Sequence, residues 1–343
     1  MNAFALYRLP HAATYTRIEQ TTGTPLSLPS CSALDGHSGF VVAPFHPSAL
    51  LPILLIRPDS VTTLPVEQTV VPPVEHTATD KRRSDYAADF AAFHRELAAG
   101  TFSKLVLARS SATRATTPPH PTDLFHAACQ RYPRLFIALA ALPDGSCWLT
   151  ATPEILLEGD GRQWRTIALA GTMPLRPTQL QGEGERLRWS TKNIQEQRYV
   201  ATYIADLLRQ QGIDYHEEGP RTVRAANLVH LRSDFTFTLP PTCHVGQLLG
   251  QLHPTPAVCG LPKQAALSFI LSHEHCQRQY YSGFMGPLGI GGSTHLYVSL
   301  RCMQMRGAQL TLYAGGGLLA DSTEQQEWQE TEAKMQTMGA LLR

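Results

Sequence analysis

The chain has 343 residues, with 29 Lys and Arg against 28 Asp and Glu, a formal charge of +1 and a charged fraction of only 17%. So even a balance leaves no electrostatic footprint for gripping a phosphate backbone or an anionic membrane surface, which argues against a nucleic-acid partner. The longest apolar stretches, at 50–56 and 135–142, fall far short of the roughly 20 residues of a membrane span, so no membrane partner is expected either.

The N-terminus shows no basic segment followed by a long apolar one and a small-residue cleavage site, which predicts a cytoplasmic protein. Seven scattered cysteines with no C-x-x-C pair read as small hydrophobes rather than a disulfide framework or a zinc site.

In chain order, residues 1–80 are rich in Pro, Ser and Thr, and short apolar runs at 39–44 and 50–57 predict short strands and loops. The stretch 61–80 has little periodicity and runs into Asp80-Lys-Arg-Arg-Ser-Asp85, which predicts an exposed connection. From Tyr86 onward Ala91, Phe93, Leu97 and Ala98 recur at helical spacing, with Ala99-Gly100 as the stop. A strand over 102–111 follows, then a helix over 122–131 and a strand over 135–142. A hairpin pair is expected over 146–151 and 155–170, turning at Asp160-Gly161.

A long helix over 190–211 carries Ile194, Val200, Ile204, Leu207 and Leu208 on its apolar face. Extended runs over 221–239 lead to a Pro- and Gly-punctuated stretch at 252–262 and a helix over 264–273. Strands over 294–306 and 308–314, a Gly315-Gly316-Gly317 turn and a helix over 323–341 complete the chain. Strands grouped as hairpins, with helices between the groups, predict an antiparallel-dominated α+β fold rather than an alternating parallel sheet.

Four sites, with seven charged residues between them, invite a chemical reading beside a plain one. Asp321-Ser322 are N-cap candidates for the last helix, with Gln325 placed for a capping box, and Glu327, Glu330 and Lys334 share one face. That face is either a solvated stripe or a carboxylate pair for a hard cation such as Mg²⁺, with the ammonium taking an anionic substrate group. Lys192 and Glu196 repeat the i,i+4 pattern of a surface pair, although two carboxylates from different helices are what a Mg²⁺ site needs.

Lys104 shares a strand face with Phe102, Val106 and Ala108, and either snorkels to the strand end or, desolvated, acts as a general base. Glu154 is an exposed turn carboxylate or, kept protonated in a dry site, a general acid. His273-Glu-His275 lacks the spacing of a zinc-protease helix, and the triple glycine fits no nucleotide motif. A tight turn into a helix N-terminus could still hold a carboxylate.

Taken in order, a set of blocks resembles the chorismate-utilising enzymes: isochorismate synthase, salicylate synthase, anthranilate synthase component I and aminodeoxychorismate synthase component I. The blocks are Phe102-Ser-Lys-Leu-Val-Leu-Ala-Arg109, Ala151-Thr-Pro-Glu-Ile-Leu-Leu157, Leu169-Ala-Gly-Thr172, Ser190-Thr-Lys-Asn-Ile-Gln-Glu196 and Leu228-Val-His-Leu231. They continue with Leu252-His-Pro-Thr-Pro-Ala257, Leu300-Arg301, Ala314-Gly-Gly-Gly317 and Ala320-Asp-Ser322 through Glu327-Trp-Gln-Glu-Thr331 to Lys334. The resemblance implies one large domain of two packed antiparallel-dominated sheets flanked by helices. Residues 1–80 would be a shortened N-terminal part of that fold and 81–343 the chorismate-binding catalytic region.

The same resemblance implies Mg²⁺ held by Glu196 and Glu330 with Glu327 close by, and substrate carboxylates held by Arg301, Lys334 and the backbone near Gly315. Gly171 and Thr172 would form a substrate-contacting turn, His253 and Ala257 would line the ring pocket, and Tyr281 would stand beside the enolpyruvyl group. Lys104 occupies the position of the base that activates water in isochorismate and salicylate synthases. Ala170 is not the lysine that resembles the covalent nucleophile of aminodeoxychorismate synthases, and Met173 is not the arginine common in anthranilate synthases.

An isochorismate synthase is therefore implied, an isomerase in which water activated by Lys104 attacks C2 of chorismate while Glu154 protonates the departing C4 hydroxyl. Its product would feed menaquinone or siderophore synthesis. The alternatives are a salicylate synthase, an ammonia-using synthase component and an inactive homologue. No obligatory glutaminase subunit is implied, and the protein would be a monomer or weak homodimer. Asn193 and Gln197 depart from an acidic residue and a histidine often found there, and Gln277 from an acidic residue common before Arg278.

Overall fold

The computed structural model describes residues 3–80, 83–174, 187–225 and 228–343. Lys81-Arg82 of the expected charged connection and positions 226–227 within the extended runs expected over 221–239 lie outside them. Seven strands precede the first helix: β1 (Ala3–Arg8), β2 (Thr14–Gln20), β3 (Leu26–Leu28), β4 (Gly39–Ala43), β5 (Ile53–Ile56), β6 (Ser60–Pro65) and β7 (His76–Asp80). Next come α1 (Arg83–Ala98), β8 (Lys104–Ala115), α2 (Pro121–Arg131), β9 (Phe136–Ala141), β10 (Cys147–Thr152), β11 (Ile155–Gly159), β12 (Gln163–Pro174) and α3 (Thr191–Gln210). The remainder is β13 (Tyr215–Ala225), β14 (Leu228–Thr238), α4 (Val245–Leu252), β15 (Gly260–Leu261), α5 (Lys263–His273), β16 (Phe284–Leu288), β17 (Thr294–Val298), β18 (Cys302–Arg306), β19 (Gln309–Leu318) and α6 (Glu324–Gly339).

Among the described residues the strands form two sheets, of ten and nine strands, and the pairs are antiparallel. The ten-stranded sheet runs β15-β8-β19-β18-β10-β9-β1-β2-β6, with β7 also on β8; the nine-stranded sheet runs β13-β14-β12-β11-β17-β16-β4-β5-β3. This is the α+β architecture the strand grouping predicts. The first 65 residues are woven into both sheets, since β1, β2 and β6 belong to one and β3, β4 and β5 to the other.

Apolar side chains of the two inner faces, among them Phe40, Phe136, Trp148 and Tyr297, fill the space between the sheets. Burying each such aromatic is worth on the order of 2–3 kcal/mol. Helices cover the outer faces: α3 and α4 pack on the nine-stranded sheet through Val200, Ile204, Leu208, Leu248 and Leu249, and α2 packs on the ten-stranded sheet through Leu124 and Phe125. α3 starts where Ser190 Oγ accepts from Asn193 N at 3.2 Å, and it stops at Gly212, whose φ of +66° suits a residue without a Cβ. No helix among the described residues is long and apolar enough to cross a membrane.

The structure corrects several expectations. The stretch 61–80 is not a plain connection, because it carries β6 on β2 and β7 on β8; β6 is an exposed edge strand, so no buried face marked it by alternation. The hairpin pair and the single strand over 294–306 are each split between the sheets. The chain leaves β10 for β11 at Pro153-Glu154, and leaves β17 for β18 at 299–301. The triple glycine lies inside β19 rather than in a turn. The last helix begins after Thr323, whose side chain makes no cap, and the expected capping box is absent, since Ser322 Oγ bonds Glu327 instead. Ile194, assigned to the apolar face of α3, is 51% exposed. Helix α4 and strand β16 lie where the sequence reading predicts no element.

Candidate active site

The cleft opens where the chain steps between sheets. A cavity of about 590 Å³, open solvent at its mouth included, is lined by the first crossing (Pro153, Glu154), the second (Leu300, Arg301) and Gly171-Thr172, which form a bulge within β12 rather than the expected turn. Val298 N donates to Glu154 O at 2.9 Å, tying the two crossings together. Glu196, Ala257, Tyr281, Gly315 and Lys334 also line it.

Glu154 is buried rather than an exposed turn residue, and burial pushes its carboxyl up to about 7 against the opposing pull of Lys104, a hydrogen bond from Thr255 Oγ1 at 3.3 Å, Arg301 and Lys334. A carboxyl so placed carries its proton near neutral pH and can donate it. Thr255 lies in the Leu252-to-Ala257 block, but a lone hydroxyl in a proline-rich stretch carries no sequence signal for this contact.

Lys104 is 0% exposed and stands just behind the cleft wall, on the same strand face as the lining residue Val106. Its Nζ lies 3.1 Å from Glu196 Oε1 without hydrogen-bond alignment. Burial raises the Glu196 pKa, but Lys104, Lys334 and Lys192 outweigh it and hold the carboxylate below its usual range. The i,i+4 pair expected of Lys192 and Glu196 does not form, because Lys192 reaches across to Glu327. Glu327 is 1% exposed; burial first, and Glu330 second, hold its pKa above the usual carboxylate range in spite of Lys192. Lys334 Nζ bonds Glu330 Oε1 at 2.6 Å and Gly315 O at 2.8 Å.

The triple glycine makes room for this cluster. A Cβ at Gly317 would meet Glu196 Oε1 at 2.1 Å and Lys104 Cε at 3.0 Å, and one at Gly316 would meet Glu327 Oε2 at 3.0 Å and Glu330 Oε1 at 3.8 Å. Three carboxylates from two helices thus press on one glycine stretch of β19. The donor set is all oxygen, which suits a hard cation such as Mg²⁺, and Glu327 Oε2 is buried with no hydrogen-bond partner. No group of three or more His, Cys, Asp or Glu among the described residues is gathered closely enough to hold a metal. Each of the three carboxylates instead has its own lysine, so the cluster fits the ion by chemistry with cations already in place.

Arg301 sits at the second crossing with φ of 46°, and it is buried. Its Nη2 donates to His230 Nε2 at 2.9 Å, and Nη1 has no partner. A guanidinium can only donate, so Nε2 must be bare and the imidazole proton lies on Nδ1, which faces Gly171 O at 3.2 Å and Thr172 Oγ1 at 3.3 Å. Burial, Arg301 and Lys334 press the His230 pKa well below its ordinary value, so the ring is neutral. The β12 bulge that presents Gly171 has φ of +72°, and a Cβ there would meet Asn193 O at 2.9 Å. The sequence contains His230 within a matched block, but a histidine between apolar strand residues reads equally as core.

His253, expected in the ring pocket, is elsewhere. Its Nε2 bonds Pro44 O at 3.0 Å, its ring meets Phe284 edge-on, and it lines a separate cavity with Tyr203 and Lys263. Burial and then Lys263 lower its pKa to about 3. The imidazole of the cleft is His230.

Tyr281 lines the cleft and stacks on Tyr313, with centroids 5.5 Å apart. Gln197 bonds Ser233 Oγ at 2.9 Å, and the carboxylate partner of Arg278 is Glu274 rather than position 277. That buried pair also holds the backbone of the wall: Arg278 donates to Val106 O and Val258 O at 2.7 Å, and Glu274 accepts from Ala108 N at 2.7 Å.

A family model described as chorismate binding enzyme matches residues 59–343, most of the chain. The chain belongs to the chorismate-binding enzyme family. Among relatives within and around it, the isochorismate synthase EntC of Escherichia coli is 33% identical over 200 residues, 57% of this chain and 51% of that protein. The isochorismate synthase DhbC of Bacillus subtilis is 32% identical over 253 residues, 71% of this chain and 63% of that protein. The matches thus span about half to two thirds of these relatives' length. Among solved structures, the menaquinone-specific isochorismate synthase MenF of E. coli superposes with a TM-score of 0.84 at 24% identity, over 99% of this chain and 89% of that one. That likeness establishes that the chain has the same fold.

Proposed function

We propose that this protein is an isochorismate synthase, converting chorismate to isochorismate. The observation that carries the reading is an acid in the cleft and a lysine behind its wall: Glu154, protonated near neutrality, lines the cavity, and Lys104 Cε comes within 3.0 Å of where a Cβ on the lining residue Gly317 would sit. The relatives named isochorismate synthases support the same reading.

In this proposal Arg301, through its unpartnered Nη1, and Lys334 take the carboxylates of the dianion; the guanidinium supplies a planar fork and the ammonium a point charge. Gly171, Thr172, Ala257, Tyr281 and Gly315 shape the cleft around the ring and its side chain. Lys104 Nζ, an ammonium beside Glu196 in the resting protein, acts here as the free amine once its own proton has been given up, and takes a proton from water as the oxygen bonds to C2. The ring double bonds shift, the C4–O bond breaks, and Glu154 gives its proton to the departing oxygen, so one water enters and one leaves. Glu196 and Glu330, with Glu327 nearby, would hold Mg²⁺, which when bound would neutralise a substrate carboxylate and fix the ring's orientation. With water as the nucleophile, no amine-delivering subunit is invoked.

Incubating the purified protein with chorismate and Mg²⁺ and separating the products by chromatography tests the reading. Isochorismate is the expected product. Salicylate with pyruvate would make it a salicylate synthase, anthranilate or aminodeoxychorismate on adding ammonium would replace it, and binding without turnover would make the protein a non-catalytic homologue.

A further inference from the structure

Three carboxylates and three ammonium groups meet at β19: Lys104 with Glu196 at 3.1 Å, Lys334 with Glu330 at 2.6 Å, and Lys192 with Glu327. The formal charge of the cluster is therefore zero before any metal arrives. Two of the lysines have other ties. Lys104 is enclosed on all sides in β8, and Lys334 also holds Gly315 O. Lys192 makes no other hydrogen bond among the described residues, and it stands in the first turn of α3 with 22% of its side chain exposed, against 0% for Lys104. Of the three it is the most exposed, against 14% for Lys334, and the least tied, so it leaves for water most readily, by rotating its own side chain.

The seat it occupies is on Glu327. Oε1 takes both Lys192 and Ser322 Oγ, at 2.8 Å from the latter, while Oε2 is buried against Gly316 without a partner. A divalent cation drawn to that oxygen would stand within a few ångströms of the Lys192 ammonium, in a setting where like charges are poorly screened.

We propose that Lys192 is the internal counter-ion of this carboxylate cluster: it neutralises Glu327 in the metal-free protein and is displaced when a divalent cation binds, so that metal binding is an exchange of cations. This rests on the Mg²⁺ reading of the cluster and adds to it a residue that sets the metal affinity. Removing Lys192 takes away the competitor and leaves a buried carboxylate without its cation, so affinity for the metal rises.

The test uses the full chain, stripped of metal by chelator and then titrated with Mg²⁺ alone. Calorimetry should give Lys192→Gln a dissociation constant about tenfold below wild type, the value expected for loss of one partly exposed competing ion pair, and Lys192→Arg one close to wild type. A second readout needs no variant: reductive methylation followed by peptide mass spectrometry should label Lys192 several-fold faster with Mg²⁺ than without, while Lys263, tied to Gln251 O and His253 O, keeps its rate. Mg²⁺ binding with unchanged or slower labelling of Lys192, or with equal or weaker affinity in Lys192→Gln, overturns the exchange and leaves the metal site standing. If neither protein takes up Mg²⁺, the metal reading fails and the exchange with it.

Discussion

Replacing Gly317 by alanine should remove activity while leaving the fold nearly intact. The new Cβ would lie 2.1 Å from Glu196 Oε1, 2.9 Å from its Cδ and 3.0 Å from Lys104 Cε. All three are side-chain atoms, and Gly317 has none of the positive φ values that strain an alanine. The end of Glu196 can therefore retreat by roughly 1 Å, at a cost of about 1 kcal/mol in stability. For a site that depends on Glu196 and Lys104, a displacement of that size costs about a hundredfold in turnover. Chorismate turnover by chromatography, run beside thermal melting, separates the two effects. Gly316→Ala is the graded control, since its Cβ meets Glu327 Oε2 only at 3.0 Å, and it should lose less. Turnover by Gly317→Ala within about threefold of wild type would refute the placement of Glu196 and Lys104 at the reaction centre.

Glu154→Gln should lower kcat by about 10²- to 10⁴-fold, and in wild type kcat should fall as pH rises through about 7, where the donor loses its proton. Because folding raises this pKa from 4.5, the associated stability is fully present below pH 4.5 and is lost as pH rises through about 7. Melting curves should accordingly show wild type losing ground to Glu154→Gln across that window. His230→Phe removes the acceptor of Arg301 Nη2 and should raise KM for chorismate by about tenfold with a smaller change in kcat; an unchanged KM would show that the ring does not position Arg301. Glu274→Ala leaves the Arg278 guanidinium buried and should cost about 3–5 kcal/mol in chemical denaturation, whereas a loss below about 1 kcal/mol would mean that the pair does not brace the cleft wall.

The sequence carried the fold class because its long buried strands and amphipathic helices announce themselves by period, and α3 shows this in Val200, Ile204 and Leu208. It did not carry the steps between sheets. Pro153-Glu154 and 299–301 read as continuations, since a strand that changes sheets keeps its alternation and alters only its partners. Most expected cleft residues, among them Glu154, Glu196, Arg301 and Lys334, do line one cavity. His253 does not, because the Leu252-to-Ala257 segment turns its imidazole toward Pro44 and only Thr255 and Ala257 toward the cleft side. The i,i+4 pair of Glu330 and Lys334 forms as their spacing predicts, but that of Lys192 and Glu196 does not: helical spacing gives neighbours on one helix, whereas these two each find a partner on a different element. The glycines of β19 show the limit most plainly, since their purpose lies in carboxylates that pack against them from α3 and α6.

The most direct test of water addition is the mass of the product formed from chorismate in H₂¹⁸O at early times. Attack at C2 by water activated at Lys104 predicts isochorismate heavier by one ¹⁸O, carried on C2, and no such product from Lys104→Ala. Unlabelled isochorismate, or labelled isochorismate formed at the wild-type rate by Lys104→Ala, would contradict it.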